Sequence, residues 1–173
     1  MLSGKTGISI IREGPISLQE LQTSFNKEPL LVHIGSDHGG FLAKESLKAH
    51  LLERGFQVVD HGTDGLASVD YPVFAKKVAN AVASDSKSFG VVICTSGQGV
   101  MMTANHVPGI RCAMGYDDKA TYKSREHNNA NIIAFGQSYM AMEDILRRVD
   151  EFLGEKYSTN PRHQRRVAMI ETK

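Results

Sequence analysis

The 173-residue chain has only two cysteines, Cys94 and Cys112. They are too few and too far apart for a disulfide framework or a C-x2-C zinc site. Two lone thiols in apolar runs fit a reducing compartment, and a cytoplasmic protein is expected. Long hydrophobic runs are missing as well. No stretch approaches the roughly 20 apolar residues that cross a bilayer, and residues 1–30 have no apolar centre of the kind a signal peptide carries, so no membrane role is expected. Nor is there an excess of one charge: 20 Lys and Arg against 19 Asp and Glu leave +1, which removes the global electrostatic case for nucleic acid. Basic residues concentrate only at 162–166, with no aromatics interleaved for base stacking, and such a cluster grips a single phosphate as readily as a polymer. The seven histidines include no H-x-x-x-H or H-E-x-x-H pair, so no metal is expected.

What is present reads as one ordinary globular domain, 41% apolar and 23% charged, preceded by an extension. In residues 1–28, Gly4, Gly7, Gly14 and Pro15 break any regular pattern until Ser17-Leu18-Gln19-Glu20 offers a capping box for a short helix. Residues 29–173 then alternate. Strands are expected at 30–35, 57–60, 89–94, 110–115 and 131–135. The first helix spans 43–54 and stops at Gly55. The second opens at Pro72 and buries Phe74, Val78, Ala81 and Val82. A third starts near Gly99 and a fourth covers 117–127. A fifth carries Met142, Ile145, Leu146, Val149, Phe152 and Leu153 on one stripe and ends at Gly154. A basic helix over 162–171 completes the domain. Five strands alternating with helices imply right-handed crossovers and a three-layer αβα sandwich around a five-stranded parallel, doubly wound, Rossmann-like sheet.

Three segments carry chemistry. The apolar run from Phe89 to Ile93 ends in Cys94 and opens into Thr95-Ser96-Gly97-Gln98-Gly99. That places a thiol, a hydroxyl and free backbone N–H groups at the carboxyl end of a strand, where such sheets bind ligands; a tight turn with a packed cysteine is the plain alternative. Ser36-Asp37-His38-Gly39-Gly40 ends the first strand in the same way. There His38 can donate to a phosphate and Asp37 can accept from a sugar hydroxyl, or simply cap the helix. It is not a dinucleotide fingerprint, since the glycine spacing fails and only Asp60 is at hand as a ribose ligand. Third, Arg125-Glu126-His127-Asn128-Asn129-Ala130-Asn131 gathers an imidazole and amides at a helix-to-strand junction, suited to proton transfer near neutral pH or to a polar helix end. Cys94 then acts either as a nucleophile with His127 as its base, or as a base that takes a carbon-bound proton while an oxyanion site holds the enediolate. The hydroxyl- and phosphate-binding groups favour the second.

SDHGG, the VDYP segment at 69–72, ICTSGQG, GIRCAM, REHNNAN and RHQRRV occur in an order that strongly resembles ribose 5-phosphate isomerase type B, over about 31–170. The wider family includes galactose 6-phosphate isomerase subunits and isomerases of other aldose phosphates. The resemblance implies a cofactor-independent aldose–ketose isomerase interconverting ribose 5-phosphate and ribulose 5-phosphate. In it Cys94 is the base, Ser96 and the N–H groups of Thr95, Gly97, Gln98 and Gly99 stabilise the enediolate, and His127 opens the furanose ring beside Asn128. Asp37 and His38 bind the sugar and phosphate end, Tyr71 lies near the sugar, and Arg162 and Arg166 clamp the phosphate. It also implies a homodimer, or a dimer of dimers, whose pockets take His127 and Asn128 from the subunit opposite Cys94. Two positions depart from the family pattern: Ser138 stands where many relatives have a phosphate-binding arginine, and Thr95 replaces a glycine beside the thiol. Isomerisation of a hexose 6-phosphate and a non-catalytic sugar-phosphate-binding subunit are the alternatives.

Overall fold

A computed structural model describes residues 28–171; the helix expected from Ser17 lies outside them. The chain runs through β1 (Leu31–Ser36), a 3-10 turn (His38–Gly40), α1 (Phe41–Glu53), β2 (Gln57–Asp60), α2 (Tyr71–Ser84), β3 (Phe89–Cys94) and α3 (Gln98–Ala104). It continues through β4 (Cys112–Met114), α4 (Asp118–Glu126), β5 (Ile132–Gly136), α5 (Met142–Gly154) and α6 (Pro161–Glu171). The five strands form one parallel sheet in the order β2-β1-β3-β5-β4. The expected α/β sandwich is therefore observed.

Strand alternation divides the core between the two faces of the sheet. Val32, Ile34, Val91, Ile93, Ile133 and Phe135 pack against α1 and α5, where Ile145, Val149 and Phe152 are fully buried. Each such side chain contributes about 1.5–3 kcal/mol relative to an exposed one. On the opposite face Val92, Cys94, Ile132 and Ala134 meet α2 and α3. The stripe on α5 follows the sequence pattern, with Met142 and Leu146 at its half-buried margin.

Two local expectations need correction. The buried face of α2 is Ala75, Val78, Ala79 and Val82, while Phe74 and Ala81 are only half-buried. The helix lies close against the sheet at Gly35 and Gly90, where a Cβ would sit 2.8 and 2.9 Å, respectively, from Val78, so small alanines face inward and the phenylalanine moves to the margin. β4 is also shorter than residues 110–115. It pairs only with β5, and Asn105 closes its start by accepting from Cys112 N–H (2.8 Å) and donating to Cys112 C=O (2.9 Å), leaving Ile110 and Arg111 outside the strand.

The register decides where loops emerge. Ser36 pairs with Ile93 and Cys94 with Gly136, so the loops after β1, β3 and β5 leave the same edge side by side. The parallel arrangement sends the carboxyl end of each crossover helix to the other edge.

Candidate active site

Cys94 is the last residue of β3 and is 5% exposed. Its Sγ accepts from the backbone N–H of Gly97 at 3.0 Å, an interaction that strengthens when sulfur carries negative charge. Gly97 has φ +81°, and a Cβ there would lie 2.9 Å from Met114 Sδ and from the Phe135 carbonyl carbon. Only glycine turns the chain so that its N–H faces the thiol. The loop is also held from β5, where Gln137 N–H donates to Cys94 C=O (3.0 Å) and Ser138 N–H to Thr95 C=O (3.1 Å). Ser96 Oγ accepts a long bond from Gln98 N–H, 3.4 Å.

The β1 loop abuts this one. A Cβ on Gly39 would lie 2.1 Å from Thr95 Oγ1, which measures how close the two turns are. Buried Asp37 accepts from Gly40 N–H through Oδ1 at 3.1 Å, so it does cap the 3-10 turn, while its other oxygen is left outside that bond. His38 Nδ1 accepts from Val69 N–H at 3.2 Å. In the neutral ring the proton must then sit on Nε2, which makes His38 a fixed donor. Tyr71, at the start of α2, lays its ring over Gly99, where a Cβ would be 2.6 Å from ring carbon. Asp37, His38, Tyr71 and residues 94–99 thus form one cluster at the carboxyl edge. Asp60 is not part of it: its carboxylate is taken by Lys44 (2.6 Å) and Lys48 (3.0 Å) and accepts from Gly62 N–H. Burial alone would raise its pKa, but these partners hold it below the usual range.

His127, Asn128, Arg162 and Arg166 lie elsewhere. His127 is the C-cap of α4, before β5 begins, whereas Cys94 is level with the last residue of β5. Five residues of strand, about 16 Å at the usual rise, separate the two ends. Ser158 N–H donates to Glu126 C=O (3.0 Å), which brings the start of α6 to the same edge as His127. Arg162 and Arg166 are exposed there, and so is Asn128. His127 Nε2 faces both Lys123 Nζ (3.2 Å) and Glu126 Oε2 (2.9 Å). Partial burial, then His163, Lys123 and Arg162, depress its pKa below the ordinary 6.5, against the opposing pull of Glu126. This shift favours the neutral imidazole near pH 7, the form that can accept a proton. Within one chain, then, the expected site residues fall into two groups at opposite edges.

Sequence reasoning missed His163. It is 5% exposed, its ring meets that of His127 edge-on at 4.0 Å, and its buried Nδ1 has no partner among the described residues. The signal was its i, i+4 spacing from Val167, the other buried residue of α6. No group of three or more possible metal ligands occurs among the described residues, and no helix among them is long and apolar enough to cross a membrane.

Comparison with known proteins places these motifs in a family. Residues 32–170 match the family model described as Ribose/Galactose Isomerase. Ribose-5-phosphate isomerase B of Escherichia coli is 40% identical over 139 residues, 80% of this chain and 93% of that protein. Among solved structures, ribose-5-phosphate isomerase B of Clostridium thermocellum superposes with a TM-score of 0.79 at 43% identity, covering 82% of this chain and 95% of that one. The Mycoplasma genitalium enzyme, solved with bound ribulose-5-phosphate, gives 0.79 at 36% identity, covering 82% and 94%.

Proposed function

The chain belongs to the ribose/galactose isomerase family, and from that premise we propose that it interconverts ribose 5-phosphate and ribulose 5-phosphate through an enediolate. The observation that carries this reading is the thiol of Cys94 held against Gly97 N–H at 3.0 Å, in a loop that abuts Asp37 and His38. His127, neutral near pH 7, transfers the proton that opens the furanose ring, with Asn128 beside it. Cys94 removes the C2 proton of the open-chain aldose and returns it at C1. Negative charge that builds on the two oxygens is met by N–H groups of residues 95–99 and the Ser96 hydroxyl. Asp37 accepts from a sugar hydroxyl, His38 donates through Nε2, and Tyr71 walls the sugar. Arg162 and Arg166 neutralise the phosphate, which fixes the carbon acid in place.

The two groups of residues complete one pocket only if a second copy supplies the missing half. A homodimer with two shared sites follows, His127, Asn128, Arg162 and Arg166 reaching from one subunit to Cys94 of the other. Two free thiols suit a reducing cytoplasm.

Purified protein should convert ribose 5-phosphate in the presence of a chelator, with ketose formation as the readout. Binding without turnover by folded dimer would overturn the catalytic reading and favour a sugar-phosphate-binding subunit. A second substrate reading rests on Ser138, an exposed, uncharged residue at the rim of the Cys94 cluster. With no cation there, a longer six-carbon 6-phosphate such as galactose or allose 6-phosphate is the rival, and a side-by-side assay of pentose and hexose phosphates decides between them.

A further inference from the structure

A polar cavity lies at the amino edge of the sheet, behind the His127–Asn128 loop. Its volume is about 360 Å³, and its lining includes Ser86, Ser88, Arg111, Arg125, Asn129 and Asn131. Two guanidinium groups share it. Arg125 is only 7% exposed and stacks on Phe89, 4.7 Å from the ring centroid. One of its nitrogens, Nη1, donates to Asn129 Oδ1 (3.0 Å) and Ala130 C=O (2.7 Å); its Nε is buried without a partner, and no ion pair to it occurs among the described residues. Arg111 donates through Nε to Asn129 C=O at 2.8 Å and meets Glu171 through Nη1. Burial first, and then the nearby Arg111, work against the charge on Arg125, and the more distant carboxylate of Glu155, which makes no ion pair with it, opposes them. A desolvated guanidinium beside a second one is costly unless an anion offsets it.

We propose that this cavity is an oxyanion site for phosphate or a phosphate monoester, held between Arg111 and Arg125 with Ser86 and Asn129 at its rim. Guanidinium forks match tetrahedral oxyanions, and both arginines already grip the segment that follows His127 and Asn128. An anion bridging them would tie that segment down from behind, so occupancy would couple to the order of the proposed ring-opening half.

The catalytic clamp also attracts phosphate, so the test uses full-length Arg162→Ala/Arg166→Ala protein. Inorganic phosphate and glycerol 3-phosphate are titrated separately by calorimetry and 31P NMR. One saturable site per chain is expected, weakened at least tenfold by adding Ser86→Asp, which places a carboxylate at the rim without touching the core. Arg111→Gln should weaken it similarly, with far-UV circular dichroism unchanged in each variant. Tighter binding of glycerol 3-phosphate marks an organic phosphate as the occupant, and equal binding marks free phosphate. Absence of saturable binding in the double variant, or affinity that Ser86→Asp leaves within twofold, would overturn the site. Turnover is not read here, so the outcome is independent of the catalytic assignment.

Discussion

The Cys94 half and the His127 half of this protein are built in opposite ways. Around Cys94 the groups are mostly backbone: N–H donors of a glycine turn, a buried aspartate capping another, and loops stitched to β5 by main-chain bonds. Around His127 they are side chains on helix ends, exposed or half-exposed except for the buried His163, with Lys123, Glu126 and His163 meeting the His127 ring. A backbone-built half combines fold and function, because moving its donors means moving the chain. A side-chain-built half separates them, since its residues can be truncated without disturbing the core.

Cys94→Ala tests the first half most severely. It should abolish isomerisation, a loss beyond the 10²–10⁴-fold or so ascribed to a general base, while a non-isomerisable pentose phosphate still binds in calorimetry. His127→Ala should lower turnover of ring-form ribose 5-phosphate by about 10²-fold, lose far less on an acyclic aldose phosphate, and leave the melting temperature in place. Equal losses on both substrates would remove the ring-opening role. Mixing these two variants through unfolding and refolding should then restore about a quarter of wild-type activity, because half the dimers carry both lesions and one intact site each. No recovery would mean that each chain holds its own complete pocket.

Smaller effects separate the halves by stability. Gly97→Ala forces a Cβ into positive φ and against Met114 and Phe135, so it should cost about 1–3 kcal/mol in urea unfolding, whereas Arg162→Ala should cost almost none. The smallest effect is a pH dependence away from both halves. His33 Nδ1 and His61 Nε2 lie 3.0 Å apart. Burial depresses both pKa values, with His33 adding to it at His61. The unfolded chain then binds more protons below pH 6.5, so this contribution is complete above 6.5 and is lost as pH falls toward the folded values. Denaturation midpoints between pH 5 and 7 should show that slope, and His61→Gln should flatten it.

Much of this was legible in the chain itself. The strand-helix alternation, the apolar stripe of α5 and the loop after Cys94 are local, and each was visible as periodicity or as a glycine cluster. The inward face of α2 was not, because it depends on how closely the helix approaches Gly35 and Gly90, which belong to other elements. His163 hid inside a basic run, since only the packing of α6 against α4 distinguishes it from its exposed neighbours. Asp60 offered a carboxylate to a ligand until Lys44 and Lys48, brought close by α1, consumed it.

The identities of the reacting groups and the order of motifs along the chain were set by residue chemistry, and they sufficed to specify a family and a reaction. Which groups share a pocket was decided by the parallel sheet. Strand ends of β1, β3 and β5 gather at one edge, and the carboxyl end of α4 is sent to the other, because a crossover helix must run antiparallel to the strands it connects. Cys94 and His127 therefore stand about a strand length apart in a single chain, a separation that no spacing in the sequence records.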